Sequence, residues 1–356
     1  MLQLYAGLTD LAAQGSITLQ YKRRADAGDR KFHGSSLWLT IDAPGQDRTI
    51  RVCYDLYDGA AITSPDGLER CDVYFKRSYS EAAILEQKPE YRRKIRPMGL
   101  NFGPLGDQDR DVRVRLAIER GLRKDAGRPF TAGERRFRRL MLASSLERSW
   151  WPSVVRRRLM PRTRHFEGPP STVMNGEILF QSRVWAPEEA PREPRLEQLN
   201  EERANLVRAL RRQFPTRFLG GLIPTDYARR SFPDCLSPFP SDPSSYLSLI
   251  HRVQIGILAD GIHRSIPFKC AEYLAASRCV VGQPPAYSLS VPLVPGTHLL
   301  CFSSIEECIG QCETLLSDPA LSRHMQEANH RYYAAHVQPA SLMRETLTSA
   351  IASPPN

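Results

Sequence analysis

The sequence predicts an α/β protein built from two doubly wound domains. Three observations predict it. The chain has 356 residues, more than one ordinary domain needs. Along its second half, apolar runs of strand length alternate with amphipathic segments of helix length. Strands that alternate with helices in this way pair in parallel, through βαβ units.

The first half opens on residues 2–13, a short amphipathic helix, where a domain of this kind ordinarily opens on a strand. Residues 17–21, 37–41 and 50–54 are apolar or alternating runs bounded by Gly, Asp and Ser, and read as strands. Shorter strands follow at 73–75 and 94–98. Residues 105–165 read as helical and basic, broken by Gly127-Arg-Pro129 and Trp150-Trp151-Pro152. The loop signal Glu167-Gly-Pro-Pro-Ser171 marks a boundary. The expected division is 1–166, 172–338 and a C-terminal helix and tail at 339–356.

In the second half, strands are expected at 178–181, 218–222, 253–258, 279–281 and 299–302. Helices are expected at 195–214, 244–251, 267–277, 305–316 and 321–335. No internal repeat is present.

Composition is that of an ordinary globular chain, 41% hydrophobic and 25% charged. No apolar run reaches the roughly 20 residues that span a bilayer. The first residues carry no early positive charge and no signal-type apolar core, so the expectation is a cytoplasmic protein. Eight cysteines show neither CxxC nor metal-ligand spacing, which suits buried reduced thiols. Cys308 and Cys312, four apart in a helical pattern, share a face. The net charge of +10 is local: residues 110–164 hold 17 Arg or Lys against 5 Asp or Glu. Such a segment attracts polyanions, anionic lipid head groups or phosphorylated acceptors. A solvated arginine-rich face accounts for it equally well.

The stretch richest in chemistry runs from Gly256 to Val281: strand, polar loop, helix, strand. Ser265 suits an N-cap and Pro267 the first helical position. A helix start after a parallel strand attracts anions, because free N–H groups and the dipole point outward. Lys269 lies in the first turn, and Glu272 shares its face. A cation for phosphate beside a carboxylate for ribose hydroxyls suits a nucleoside diphosphate. On spacing alone, an intrahelical Lys–Glu ion pair is the plainer reading.

This stretch resembles the donor-binding region of group-one-type glycosyltransferases of the GT-B fold. The residues that carry the resemblance are Lys269, Glu272-Tyr-Leu-Ala-Ala-Ser277 and Cys279-Val-Val281. Gly261-Ile-His263, Gly296-Thr-His-Leu-Leu-Cys-Phe302, Glu307-Cys308, residues 325–329 and Tyr332-Tyr333 resemble a bacterial branch of that family. Tyr54-Asp-Leu-Tyr-Asp-Gly59 and Asp72-Val-Tyr-Phe-Lys-Arg-Ser-Tyr79 look like the same branch. The likeness is firm over residues 178–339.

The resemblance implies two Rossmann-type domains facing a cleft, with a C-terminal helix returning to the first. It implies transfer of a sugar from a nucleotide-sugar donor to an acceptor hydroxyl on a glycan, a lipid-linked precursor or a surface-polysaccharide precursor. Glu272 would bind the donor ribose, and Lys269 and Arg183 would face the diphosphate, with Gly261, Arg264 and Ser265 in the donor loop. Arg183 in a strand-end salt bridge is the plain alternative. Retaining members often carry a second Glu eight positions before the first. Here that position is Arg264, which leaves stereochemistry open.

His263, in the donor loop, is a candidate to touch the transferred sugar. Asp55 and Asp58 follow an apolar run, where ligands collect in doubly wound folds, and either is a candidate general base. A turn aspartate before Gly59 is the alternative. Lys76 and Arg77 are candidates for an acceptor phosphate, or a solvated charge pair.

Asp107-Gln-Asp109 lacks a preceding apolar strand and is taken as chance. No metal and no cofactor are expected, the nucleotide sugar being a substrate. Expected partners are the donor, a glycan or lipid-linked acceptor and an anionic membrane surface, through the basic segment and Trp150-Trp151. No specific nucleic-acid partner is expected, since aromatic residues are not regularly interleaved with the charges. Two other classes stay open: a nucleotide-sugar epimerase or hydrolase of the same fold, and a non-enzymatic polyanion binder.

Overall fold

The computed structural model describes residues 2–20, 36–107, 161–171, 175–191 and 193–353. The first unit runs α1 (Leu2–Ala13), β1 (Ser36–Asp42), β2 (Thr49–Asp55), α2 (Pro65–Arg70), β3 (Val73–Lys76), α3 (Glu81–Gln87) and β4 (Ile95–Pro97). Its sheet has the order β1-β2-β3-β4. β2, β3 and β4 are parallel, with α2 and α3 as their crossovers. β1 is antiparallel to β2, because the short connection at 43–48, with Gly45 at φ +79, closes a hairpin.

The strand expected at 17–21 is corrected. Residues 17–20 pair with no strand, and residue 21 lies outside the described residues. Ile17 and Leu19 are packed side-on against the first core instead. Their alternation reports partial burial, which a loop lying on a core can also produce.

The second unit follows α4 (Thr163–Phe166) and begins at β5 (Ile178–Ser182). It continues through α5 (Leu196–Gln213), β6 (Phe218–Leu222), α6 (Asp226–Ser231), α7 (Pro243–Arg252) and β7 (Ile255–Leu258). Then come α8 (Phe268–Ala275), β8 (Cys279–Gly282), β9 (Leu300–Cys301), α9 (Ile305–Ser317) and α10 (Pro319–Tyr332). The sheet order is β6-β5-β7-β8-β9, parallel throughout. Both faces are covered. Ile178, Phe180, Ile257 and Val281 pack with Val207 and Leu210 of α5, while Leu179 and Val280 pack with Tyr273 and Leu274 of α8. Near-continuous apolar strands are what a sheet buried on both faces requires. Gly256 in β7 leaves the space that the Tyr273 ring fills.

Two connections join the units. Phe102 and Phe166 enter the second core, their rings edge-on at 5.1 Å, so segments on both sides of 108–160 belong with that core. After α10, a single π-helical turn at Tyr333–Val337 leads into α11 (Pro339–Ile351). α11 returns to the first unit, packing Leu342, Met343 and Leu347 against Leu4, Leu8, Val52 and Phe75. The Tyr54 hydroxyl donates to Thr346 Oγ1 at 2.9 Å.

All eight cysteines are free, and Cys308 and Cys312 are buried on one face of α9. Among the described residues, no helix is long and apolar enough to cross a membrane. The basic segment lies outside the described residues up to 160, as do Trp150, Trp151 and Asp109 of the Asp-x-Asp pattern.

Candidate functional site at the facing strand ends

Strand order fixes where a ligand can sit. Between β5 and β7 the winding reverses, and the crevice outside their carboxyl ends is where doubly wound folds bind ligands. β5 ends at Ser182-Arg183 and β7 at Leu258, before the loop 259–267. That loop faces the carboxyl ends of β2 and β3 in the first unit. Tyr57 Oη and His263 Nε2 lie 3.1 Å apart, and Arg77 donates to the Ile266 carbonyl at 3.1 Å. Arg77 also stacks on the Phe268 ring, 4.6 Å to the centroid, and the Ser288 N–H donates to the Tyr79 carbonyl at 3.0 Å.

The loop is strained and pinned. His263 and Arg264 have φ of 57 and 58, a left-handed conformation that costs a non-glycine residue about 1–3 kcal/mol. Glu193 Oε2 accepts from the His263 N–H at 2.5 Å, and the Tyr287 hydroxyl donates to the His263 carbonyl at 2.6 Å. Arg264 pairs with Asp260 at 3.5 Å, and Gly261 is bonded across the turn to the Ser265 carbonyl. Ser265 is buried inside this turn, and the residue capping α8 is Pro267, without a side-chain cap. The expected Ser265 cap is thus corrected: the cap position falls two residues later, at Pro267, and the helix starts at Phe268, one residue after its expected start, with its first N–H groups uncapped by a side chain.

Charges gather behind the loop. Arg203 of α5 is buried and donates at 2.5 Å to the carbonyls of both Arg183 and Asp260, tying β5 to β7 at the switch point. Its guanidinium lies over the Trp185 ring at 4.4 Å, and burial lowers its pKa to about 10. Arg183 is half exposed and pairs with Glu189. Lys269 lies over the ring of Tyr246 on α7, 4.0 Å to the centroid. Burial pulls its pKa down to about 8, against the attraction of Glu272. Burial raises the Glu272 carboxyl, against Lys269 and the Tyr246 hydroxyl. Lys269 and Glu272 thus occupy one crowded face of α8, with a ring beneath the ammonium. The other face, with Pro267 and Cys270, lines a small open crevice shared with Leu258, Asp260, Gln283 and Leu293.

The first-unit candidates divide. Asp55 is fully buried and pairs with buried Lys76 at 3.4 Å. It also accepts from Tyr74 Oη at 2.7 Å, Thr63 Oγ1 at 3.0 Å and the Tyr57 N–H at 3.0 Å. A carboxylate so enclosed and so fully bonded cannot reach an acceptor hydroxyl, so the general-base expectation for Asp55 is corrected to a structural hub. Lys76 is equally enclosed, which removes it as a ligand for an acceptor phosphate. Asp58 is half exposed and pairs with Arg77, whose other contacts are to Ile266 and Phe268. That pair spans the junction instead of standing free in solvent.

Glu193, Arg203, Tyr246, Tyr57 and Asp260 are the residues sequence reasoning missed. Tyr57 and Asp260 lie inside stretches the sequence marks, 54–59 and 256–281, without standing out as candidates there; Glu193, Arg203 and Tyr246 lie in no local pattern. Arg203 sits on the buried stripe of α5 with Leu199, Leu206 and Leu210, and an arginine on an apolar stripe was the one available signal. Among the described residues, no group of three or more His, Cys, Asp or Glu stands ready for a metal ion.

Two α/β units with facing strand ends, and a last helix returning to the first unit, define a GT-B-like architecture. No family model and no curated protein matches the chain. Among solved structures it is similar to the C-terminal domain of LpcC, a group 1 family glycosyl transferase of Francisella tularensis. That match has 12% identity, a TM-score of 0.33, and coverage of 49% of this chain and 96% of that one. It is also similar to Alr3699/HepE of Anabaena, solved with UDP, at 10% identity and a TM-score of 0.37, covering 81% of this chain and 80% of that one. Both TM-scores are low, and the reading of function rests on the site itself.

Proposed function

We propose that the protein is a glycosyltransferase that moves a sugar from a nucleotide-sugar donor to an acceptor hydroxyl. The donor is held by the second unit and the acceptor by the first. One observation carries this reading. At the β5–β7 switch point Arg203 and Lys269 gather with Glu272 near a helix start that no side chain caps, behind a strained loop facing the other unit, while Arg183 stands at the end of β5 paired with Glu189. A diphosphate leaving group develops negative charge as the glycosidic bond breaks, and preorganised cations and N–H groups stabilise it without a metal. Lys269 and the amino end of α8 take the diphosphate, Glu272 takes ribose hydroxyls, and Arg203 holds the frame. Glycans and lipid-linked or surface-polysaccharide precursors are the acceptors this reading favours. The cytoplasmic face of a membrane is where it would meet them.

The test is calorimetry against a panel of nucleotide sugars. Glu272→Gln removes charge-assisted bonds to the ribose, which are worth about 1.5–3 kcal/mol, so affinity falls ten- to a hundredfold. Lys269→Ala weakens the nucleoside diphosphate product as well. Were the two residues only a helix ion pair, worth about 0.3–0.5 kcal/mol, both variants would bind as the parent does. Parental affinity in both variants sinks the assignment. Donor cleavage that no added acceptor accelerates would indicate a hydrolase.

A further inference from the structure

The stretch Gly296-Thr-His298 has no part in the chemistry above, yet its histidine holds a whole loop in place. The loop 283–299 joins β8 to β9 and lines the crevice through Gln283, Leu293 and Leu299. It reaches both units: the Tyr287 hydroxyl donates to the His263 carbonyl at 2.6 Å, and the Ser288 N–H donates to the Tyr79 carbonyl at 3.0 Å. Its far arm, 291–298, ends in a tight turn. Gly296 takes φ +81, its N–H donates to the Leu299 carbonyl at 2.8 Å, and the His298 N–H donates to the Val294 carbonyl at 2.9 Å. The His298 side chain closes the same turn in the opposite sense, its Nδ1 accepting from the Val294 N–H at 2.9 Å. A backbone N–H can only donate, so that ring nitrogen must be bare.

The surroundings of that ring oppose a charge on it. It meets Tyr332 of α10 edge-on, 5.0 Å between centroids, and the Tyr332 hydroxyl holds the start of the arm through the Val291 carbonyl at 2.5 Å. The His336 ring packs on Tyr332 as well, at 5.2 Å, from the π-helical turn that joins the units. The carboxylate of Glu345 on α11 is engaged by His336 Nδ1 at 3.2 Å. Burial, Arg331 of α10 and His336 together hold the His298 pKa below its ordinary 6.5. An imidazolium carries a proton on both nitrogens. Once charged, His298 cannot accept, and two N–H groups face each other across the turn. The ring is partly exposed, so it has a way out to water, and the arm then loses its staple.

We propose that His298 is a pH-sensitive latch on the crevice loop: the neutral ring keeps the arm 291–298 folded against α10, and the protonated ring releases it. Leu293 lies on that arm and Tyr287 and Ser288 just before it, so release loosens a wall of the crevice next to the contacts that the loop makes with the His263 loop and the first unit. The latch acts whatever ligand the crevice takes, and so goes beyond the glycosyltransferase reading.

Backbone amide exchange of the full chain at stepped pH, corrected for the intrinsic pH dependence of exchange, tests it. In the parent, protection at 291–298 should fall about two- to tenfold, the weight of one hydrogen bond, and the fall should lie below pH 6.5. His298→Asn offers an amide oxygen that does not titrate in this range, so its protection should stay at the parent's neutral level throughout. His298→Leu keeps an apolar contact for Tyr332 but offers no acceptor, so it should stay at the parent's acid level throughout. Ring-nitrogen NMR of the parent at neutral pH should find Nδ1 of His298 without a proton.

Protection in the parent that does not change with pH, a parental pH dependence in His298→Asn, or a proton on Nδ1 at neutral pH overturns the proposal and leaves the glycosyltransferase reading intact. A loss shared equally by β5 and β7 overturns it too, because it marks unfolding of the second unit instead of release of one arm.

Discussion

Burial holds the Lys269 ammonium at about 8, against an ordinary value of 10.5. Between those values an unfolded chain keeps the proton and the folded one releases it. Stability therefore rises with pH across that window by the contribution of this one group. A diphosphate needs the ammonium, so affinity for it moves the opposite way. Lys269→Met should abolish both trends: its urea stability should lack the parent's increment between pH 8 and 10.5, and its weaker nucleoside diphosphate binding should stay flat there. Denaturation and calorimetry at stepped pH check this, and indistinguishable pH dependences would refute it. Asp55 and Lys76 show the other fate of buried charge. Their pair is closed by Tyr74, Thr63 and Tyr57, so the network fixes the loop that carries Tyr57 and leaves nothing free for substrate. From sequence, Asp55 and Glu272 were alike, each a carboxylate near a strand or helix end. Only the count of donors around each separates them, and donors arrive from distant segments.

At the scale of elements, the contacts of two glycines predict opposite outcomes for one substitution. Gly7 of α1 lies directly on the Pro339 carbonyl and Met343 of α11, inside the space a Cβ would need. Gly310 of α9 has nothing near it. Gly7→Ala should push the first and last helices apart and lower stability by about 1–3 kcal/mol. Gly310→Ala should raise it by about 0.5–1 kcal/mol, through the helix propensity gained. Urea midpoints read both, and equal shifts in the two would contradict the packing described. Most elements of the second unit were legible because their stripes and strand runs are long and face a core on both sides of one sheet. The first unit was less so. Residues 17–20 alternate like a strand, yet they meet no unpaired strand edge, and hydrogen-bond partners are not written in a local pattern. α8 was legible as an element but not in its start, since Ser265 turns inward beside Gly261.

Over the whole molecule, the two sheets point their carboxyl ends at each other, held by the apolar packing of the connecting segments and by a small set of polar and ring contacts across the facing ends. Sequence reasoning assigned chemistry to 261–272 and to 54–59, but it had no means of knowing that His263 meets Tyr57 or that Arg77 meets Ile266. Those contacts join residues roughly 200 positions apart. Arg77 makes two of these ties: its guanidinium, bonded to Asp58 of its own unit, donates to the Ile266 carbonyl and stacks on Phe268. Burial lowers its pKa, and Asp58 opposes that shift, so the charge persists. Arg77→Ala leaves the Ile266 carbonyl without this donor and frees Asp58. A hydrogen bond to a charged group is worth about 1.5–3 kcal/mol, and the stacking about 0.5–1 kcal/mol more. The loss falls on the junction, since neither sheet contributes to it. Backbone amide exchange at 57–60 and 259–268 should therefore accelerate by roughly thirty- to sevenhundredfold, at 1.4 kcal/mol per decade. Exchange in β5, β7 and β8 should hold at parental rates. Acceleration spread evenly over both sheets would mean that Arg77 supports the fold as a whole; unchanged exchange at the junction would mean that the units are held by other contacts.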